Sequence, residues 1–184
     1  MSKPVDHVFM IHGYGVTPEK MWFPWLHAEI ERKGVAVSVP ALPDPYRPNF
    51  DTWLKFMTPF ASKWTPRTLL VAHSIGGVLG LRLLERRTKV RLRAAIIVSS
   101  PFASTINVKP YVRFFERPID WWAVRERAEE FTVMHAKDDP LVPYDHVLRY
   151  EEALGAKRFL LPNGGHFTGK KFPLLKKTVL EYLE

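Results

Sequence analysis

The sequence contains no cysteine, and none of its apolar runs is long enough to cross a lipid bilayer. The lack of cysteine excludes disulfide bonds, zinc–thiolate sites and a cysteine nucleophile. The first residues, 1–7, also lack the apolar core that a secretory signal peptide needs. We therefore expect a cytoplasmic protein that does not act at a membrane.

Nucleotide-binding and metal-binding motifs are missing as well. No Walker A sequence occurs, and the turn Gly13-Tyr14-Gly15 has Pro18 where a dinucleotide-binding turn needs its third glycine. The histidines His27, His135 and His146 are not spaced like metal ligands. We therefore expect neither a metal ion nor a cofactor.

The formal net charge of +8 raises the question of nucleic-acid binding. The densest basic stretch, Arg86–Arg93, falls where a predicted helix ends and the next strand begins. A helix dipole favours basic side chains at the helix C-terminus, which explains this cluster without a nucleic acid. The chain also shows no basic groove interleaved with aromatic residues. We therefore expect no nucleic-acid partner.

Strand-like and helix-like segments alternate along all 184 residues. Continuous apolar runs such as Ala94–Val98 are typical of strands covered on both faces of a parallel sheet. The alternation predicts an α/β fold with a doubly wound, mostly parallel sheet of about six strands flanked by helices, in a single domain over residues 1–184. The predicted strands are His7–Ile11, Val35–Val39, Thr68–His73, Arg93–Ser99, Phe131–Ala136 and Lys157–Leu161. The predicted helices are Pro18–Lys33, Asn49–Lys63, Ile75–Arg86, Asp120–Glu130, Tyr144–Leu154 and Pro173–Leu183.

The most informative motif surrounds Ser74. An apolar strand-like segment ends in Ala72-His73-Ser74-Ile75-Gly76 and continues as a helix-like segment. This is the strand–turn–helix context of the G-x-S-x-G nucleophile elbow, whose tight turn needs small residues two before and two after the serine. Here those residues are Ala72 and Gly76. A serine that only caps the helix would explain the pattern too.

The carboxyl ends of the predicted strands carry two further groups that fit a catalytic triad. Chemistry in such folds lies beyond these strand ends, and Ser74, an aspartate and His166 follow one another in the α/β-hydrolase order Ser, Asp, His. We choose Asp139, which follows a buried strand, as the aspartate that orients the histidine. Asp138 is the alternative, because neighbouring residues at a strand end point in different directions.

Two backbone N–H groups are candidates for an oxyanion hole. The Ile75 N–H lies at the start of the helix after Ser74, and the turn after the first strand offers the Tyr14 N–H. His12, at the end of that strand, is a candidate substrate-binding residue.

The longest irregular connection, Ser100–Ile119, is the remaining place for a cap over the site. It is too short for a large lid domain. Aromatic residues crowd this connection and the following helix, and we expect some of them to line a substrate pocket while others pack in the core. These aromatic residues are Phe102, Tyr111, Phe114, Phe115, Trp121 and Trp122. Our candidate substrate-binding residues among them are Phe102, Phe114 and Trp122.

Three motifs together resemble those of the small serine hydrolases typified by retinoblastoma-binding protein 9 and its bacterial relatives. They are Ala72-His73-Ser74-Ile75-Gly76, Asp138-Asp139-Pro140-Leu141-Val142-Pro143 and Gly165-His166-Phe167. The resemblance covers nearly the whole chain and implies a compact α/β-hydrolase fold with Ser74, Asp139 and His166 as the triad. The family's Leu-x-Cys-x-Glu element cannot exist without cysteine, so we do not expect binding to pocket proteins.

These motifs predict a serine hydrolase that acts through an acyl-enzyme, with a carboxylesterase on small esters as the first choice. An aminopeptidase or amidase would use the same triad, so the substrate would be a small ester or a short peptide-like molecule. A binding protein on a hydrolase scaffold, with an idle triad, is an alternative of a different class. We expect a monomer or a small homo-oligomer.

Overall fold

The computed structural model describes residues 4–86, 90–105 and 109–184. Its described strands form one six-stranded sheet in the order β2-β1-β3-β4-β5-β6, and every neighbouring pair is parallel. The predicted α/β architecture is therefore confirmed, and the sheet is wholly parallel. The strands are β1 His7–Ile11, β2 Ala36–Ser38, β3 Thr68–His73, β4 Leu92–Val98, β5 Ala128–Ala136 and β6 Lys157–Leu161.

Helices cover both faces of the sheet. They are α1 Phe23–Glu31, α2 Phe50–Ala61, α3 Ile75–Glu85, α4 Lys109–Val112, α5 Trp121–Arg125, α6 Asp145–Leu154 and α7 Pro173–Glu181. One layer of buried side chains lies between the sheet and α2, α3 and α6, and the other lies between the sheet and α1 and α7. Successive residues of a strand serve opposite layers, as Leu70 and Val71 of β3 do, which explains the continuous apolar runs.

Two predicted helices and one connection predicted to be irregular differ clearly from the structure, and the bounds of the other predicted helices and strands agree to within three residues. The helix predicted from Pro18 begins at Phe23, because Met21 has a left-handed backbone (φ 57°) that interrupts helical geometry. Pro24 then occupies the first turn, where its missing N–H is tolerated. The helix predicted over Asp120–Glu130 ends at Arg125.

The cause of that early end is strand pairing. Ala128 pairs with Leu92, and Glu130 pairs with Ala94, so the end of the predicted helix belongs to β5. The third difference is α4, a single helical turn within the connection predicted to be irregular.

The basic stretch Arg86–Arg93 lies partly outside the described residues. Within the described part, the Arg91 Nε donates to the Ala128 carbonyl at 3.3 Å, and Arg93 pairs with Glu129 and Glu130. In the described part of the chain, no helix has both the length and the apolar character needed to span a membrane.

Candidate active site

Ser74 occupies a strained turn between β3 and α3. Its φ of 55° and ψ of −135° are unfavourable for a residue with a side chain. Two backbone hydrogen bonds hold it there: the Ser74 N–H donates to the Val98 carbonyl at 2.9 Å, and the Gly77 N–H donates to the Ser74 carbonyl at 2.8 Å. The turn therefore has the conformation expected of a nucleophile elbow.

Close backbone approach explains the small residues around this turn. A Cβ at Gly76 would lie 2.3 Å from the His12 carbonyl oxygen, and one at Gly13 would lie 2.8 Å from the Ser74 Cβ. Both glycines are needed because the β1 turn runs directly against the elbow. Ala72, which replaces the first glycine of the motif, is accommodated within the buried part of β3.

His166 and Asp139 form a hydrogen-bonded pair. The His166 Nδ1 lies 2.8 Å from Asp139 Oδ2, and the Asp139 side chain has no exposed surface. The other carboxylate oxygen accepts from the N–H groups of Leu141 (2.9 Å) and Val142 (3.1 Å). Burial alone would raise the pKa of Asp139, but the His166 hydrogen bond, the His166 charge and these two N–H groups outweigh it and lower the pKa. Asp139 is therefore a fixed anion beside the imidazole.

Asp138, the alternative carboxylate, points elsewhere. Its Oδ1 accepts from the Gly165 N–H at 2.8 Å, so it supports the backbone of the loop that carries His166. Asp138 thus contacts the loop, and Asp139 contacts the imidazole.

His73 joins the elbow to the same loop. Its Nε2 donates to the His166 carbonyl at 2.9 Å, and the two rings lie 4.8 Å apart. Complete burial, reinforced by repulsion from His166, lowers the pKa of His73 to about 3. His73 is therefore neutral at ordinary pH. Its hydrogen bond connects the turn that carries Ser74 to the loop that carries His166. Both keep a small opening to solvent, with Ser74 6% and His166 9% exposed.

His135 supports the carboxylate from the other side. Its Nε2 donates to the Val142 carbonyl at 2.9 Å and lies 3.6 Å from Asp139 Oδ2. Burial lowers the pKa of His135, so the ring is neutral. The sequence analysis did not identify His135 as a site residue. Its position in the sequence does not show that a side chain of β5 contacts the loop that follows this strand.

One candidate oxyanion donor, Ile75, follows Ser74 in the chain, and the other, Tyr14, follows Gly13, whose backbone lies against the Ser74 Cβ. Among the described residues, neither the Tyr14 N–H nor the Ile75 N–H donates a backbone hydrogen bond outside the regular helices and strands. Ile75 is the first residue of α3, so its N–H also benefits from the positive end of the helix dipole. The Gly15 N–H, in contrast, is occupied by the Pro45 carbonyl at 2.8 Å.

His12 is placed differently from our expectation of a substrate-binding residue. It is fully buried, its Nδ1 donates to the Gly13 carbonyl at 3.1 Å, and its Nε2 accepts from the Leu42 N–H at 3.0 Å. Both ring nitrogens are thus used to hold the loops after β1 and β2, and none is free for a substrate. Burial lowers the pKa of His12, consistent with a neutral ring.

The three aromatic candidates are distributed over the core, an intermediate layer and the surface. Phe114 is fully buried, with its ring 5.7 Å from Trp53. Phe102 stacks on Trp121 at 4.7 Å, and Trp122 is 74% exposed. Phe114 therefore packs behind the site and not on an open wall, because α2 covers it.

Tyr111 is half-buried in the connection and packs against the core layer that contains α2 and α3. Its ring lies 6.3 Å from the rings of Phe114 and Phe115. Burial raises the pKa of Tyr111 to about 12.

A model of a family described as serine hydrolase matches residues 8–171. The chain belongs to this serine hydrolase family. It is 30% identical to the YdeN protein of Bacillus subtilis (strain 168) over 161 residues, which cover 87% of this chain and 85% of YdeN. It is 24% identical to the serine hydrolase RBBP9 of Rattus norvegicus over 186 residues, covering 100% and 98% of the two chains. The resemblance expected from the motifs is confirmed.

Solved structures agree with this assignment. The crystal structure of the B. subtilis ydeN gene product superimposes with a TM-score of 0.92 at 27% identity, covering 97% of this chain and 98% of that one. Est1E from Butyrivibrio proteoclasticus, solved with ferulic acid bound, has a TM-score of 0.78 at 16% identity, with 98% and 88% covered. The chain is a serine hydrolase with the compact α/β-hydrolase fold, and no large lid is evident in the described residues.

Proposed function

We propose that this serine hydrolase is a carboxylesterase that cleaves small esters through an acyl-enzyme on Ser74. The observation that carries the proposal is the 2.8 Å contact between His166 Nδ1 and Asp139 Oδ2, on a loop that His73 joins to the Ser74 elbow. A buried carboxylate, an imidazole and a serine in a strained elbow are the parts that nucleophilic acyl transfer requires.

In the acylation step, Ser74 Oγ attacks the ester carbonyl carbon while His166 Nε2 accepts the serine proton. The imidazolium that forms is stabilised by Asp139, which stays ionised because its pKa is lowered. The tetrahedral intermediate carries its negative charge on the former carbonyl oxygen. The N–H groups of Tyr14 and Ile75 are the donors we assign to that oxygen.

The intermediate then collapses and the bond to the leaving alcohol breaks. His166 gives its proton to the departing alkoxide, which leaves the acyl group on Ser74. Water repeats the sequence: it gives a proton to His166 as its oxygen attacks the acyl carbon. The bond to Ser74 Oγ then breaks, and His166 returns that proton to Oγ, which releases a carboxylic acid and restores Ser74 and His166. The protons and charges balance over the two half-reactions without any further reactant.

The hydrogen bonds that Asp138 and Asp139 already accept favour an ester substrate over a peptide with a free N-terminus. Asp138 is bound to the Gly165 N–H, and Asp139 is bound to His166 and two backbone N–H groups. An aminopeptidase needs a carboxylate that is available to pair with the substrate's ammonium group. Both acidic side chains next to His166 already support the histidine loop, so we favour an ester.

A fluorophosphonate probe tests the proposal against the alternative of an idle hydrolase scaffold. Wild-type protein should become labelled at Ser74 and should turn over p-nitrophenyl acetate, whereas Ser74→Ala should do neither and should unfold at a similar temperature. Thr168→Ala, at an exposed residue in the loop after His166, is the matched control and should be labelled normally. A folded wild type that is neither labelled nor active would show that the triad is idle. A higher kcat/KM for amino-acid anilides than for esters would favour the aminopeptidase alternative.

A further inference from the structure

His135 lies at the carboxyl end of β5, immediately before the turn that carries Asp139. Alternate residues of a strand point to the same side, and Val133, two positions earlier, belongs to the core layer that contains α3 and α6. The His135 side chain is only 1% exposed. The ring therefore meets the turn from inside the protein, where a substrate does not reach it.

One hydrogen bond joins His135 to this turn. Its Nε2 lies 2.9 Å from the Val142 carbonyl oxygen. A carbonyl oxygen can only accept, so the His135 Nε2 must carry a proton. Burial lowers the pKa of His135, so the ring is neutral and this is its one N–H proton. His135 thus binds the turn without adding a positive charge beside Asp139.

Val142 passes this restraint on to the candidate carboxylate. Its N–H donates to Asp139 Oδ1 at 3.1 Å, beside the Leu141 N–H at 2.9 Å. The residues on either side of this pair are prolines, which have no N–H to donate. Val142 therefore accepts from His135 through its carbonyl and donates to Asp139 through its N–H.

The other carboxylate oxygen faces the candidate base. Asp139 Oδ2 accepts from His166 Nδ1 at 2.8 Å, and the His135 Nε2 lies 3.6 Å from the same oxygen. At that distance His135 makes no hydrogen bond to Oδ2, and its proton is directed to the Val142 carbonyl. Oδ1 is thus held by the turn, and Oδ2 is left for His166.

We propose that His135 is a positioning residue for the reaction, which holds the turn over residues 139–142 so that Asp139 stays in contact with His166. The inference rests on the proposed esterase function. An orienting carboxylate acts only while it remains hydrogen-bonded to the imidazole, and a displacement of about 1 Å in an active site can cost about 10²-fold in rate. His135 acts through the turn and contacts neither the substrate nor the reacting atoms.

The test compares three substitutions of His135 with a control on the same strand. His135→Leu removes the donor, and the amide of His135→Asn is too short to reach the Val142 carbonyl. The amide nitrogen of His135→Gln reaches about as far as Nε2 and restores a donor. Val133→Ala removes buried contacts on the same side of β5 but no hydrogen bond, and so controls for a general loss of stability.

Steady-state kinetics on p-nitrophenyl acetate and thermal melting are measured for each variant. We expect His135→Leu and His135→Asn to lower kcat by about tenfold or more, with KM within about twofold of wild type. His135→Gln should bring kcat back to within about threefold of wild type. Val133→Ala should melt at a lower temperature and keep kcat within about twofold of wild type. If His135→Leu does not fold, His135→Asn alone is compared with His135→Gln.

A double-substitution cycle shows whether His135 acts through Asp139. In an Asp139→Asn background the carboxylate that His135 positions is already absent. The further change His135→Leu, or His135→Asn in its place, should therefore lower kcat by less than about threefold there. A residue with a purely structural role would cause the same fold-loss in both backgrounds.

A folded His135→Leu or His135→Asn protein with the kcat of wild type would overturn this inference and leave the esterase proposal standing. An equal loss in His135→Gln, or an equal loss in the Asp139→Asn background, would also overturn it. A wild type that is neither labelled by the fluorophosphonate nor active on any ester would remove the proposed function, and this inference with it.

Discussion

The His73 Nε2 donates a hydrogen bond to the carbonyl oxygen of His166, with the two atoms 2.9 Å apart. His73, which precedes the candidate nucleophile Ser74, thus binds the backbone of the candidate base His166, although the two residues are 93 positions apart in the sequence. Burial keeps the His73 ring neutral, so the stability of this arrangement is linked to the protonation of a residue that takes no part in the proposed chemistry.

That linkage predicts acid sensitivity with a defined window. The pKa of His73 is about 3 in the folded protein, against 6.5 for a histidine side chain in water. Between these values the unfolded chain binds a proton that the folded protein does not, so stability must fall as the pH drops below 6.5. His73 alone should cost about 2–3 kcal/mol of unfolding free energy between pH 6.5 and 4.5. Urea unfolding at a series of pH values measures it.

His73→Gln is the control for this prediction. Its side-chain amide does not titrate and can still donate to the His166 carbonyl. The variant should lose less unfolding free energy than wild type over the same pH range. Its unfolding free energy will still depend on pH, because His135, His12 and His146 also have lowered pKa values. Identical slopes for the two proteins would contradict the assignment to His73.

The adjacent aspartates should differ sharply in their effect on catalysis. Asp139→Asn should lower kcat by about 10⁴-fold, the loss typical of an orienting carboxylate in a serine protease, because an amide does not hold the required imidazole tautomer or stabilise the imidazolium. Asp138→Asn should cost less than about tenfold, since the side chain accepts from the Gly165 N–H and not from His166. Steady-state kinetics on p-nitrophenyl acetate measure both. A larger loss at Asp138 would assign the triad role to that residue.

Short acyl chains should be the preferred substrates. The connection over residues 100–119 is too short for a large lid, and it carries the charged residues Arg113, Glu116 and Arg117, which are exposed. The described part of this connection therefore offers no extended apolar surface for a lipid interface. On a series of p-nitrophenyl esters, kcat/KM should peak at short to medium chains and fall for long ones. A continued rise with chain length, or activation by an oil–water interface, would indicate a lipase.

Arg82 should be a main stabilising residue of the connection. Arg82→Leu leaves three carbonyl oxygens without their Arg82 donor and removes the 3.2 Å ion pair of Arg82 with Glu85 Oε2. Because these groups are buried or partly buried, we expect a loss of about 3 kcal/mol in the free energy of unfolding. Arg86→Leu, four positions on and exposed, should change it by less than about 0.5 kcal/mol. Denaturant unfolding compares the two, and equal effects would contradict the anchoring role.

The sequence by itself determined the architecture of this protein. Largely apolar runs bounded by turn residues predicted β1 and β3 with the limits that the structure has, because a strand covered on both faces leaves a signal in nearly every residue. The limits of the edge strand β6 were also predicted, although its first two residues, Lys157 and Arg158, are exposed. Parallel strands have their carboxyl ends at one edge of the sheet. The same pattern therefore predicted that Ser74, Asp139 and His166, which follow three different strands, lie at that edge.

Tertiary structure decided what depends on contacts between distant segments. Pairing with β4 converted Ala128–Glu130 from predicted helix into strand, because a new row of hydrogen bonds outweighs a weak local helical preference. The loop after β6 determined that Asp139 meets the imidazole while Asp138 binds the Gly165 N–H. The buried Arg82 of α3 holds the connection by donating to the carbonyl oxygens of Phe114, Arg117 and Pro118, and no local pattern records such contacts because the partners lie far apart in the sequence.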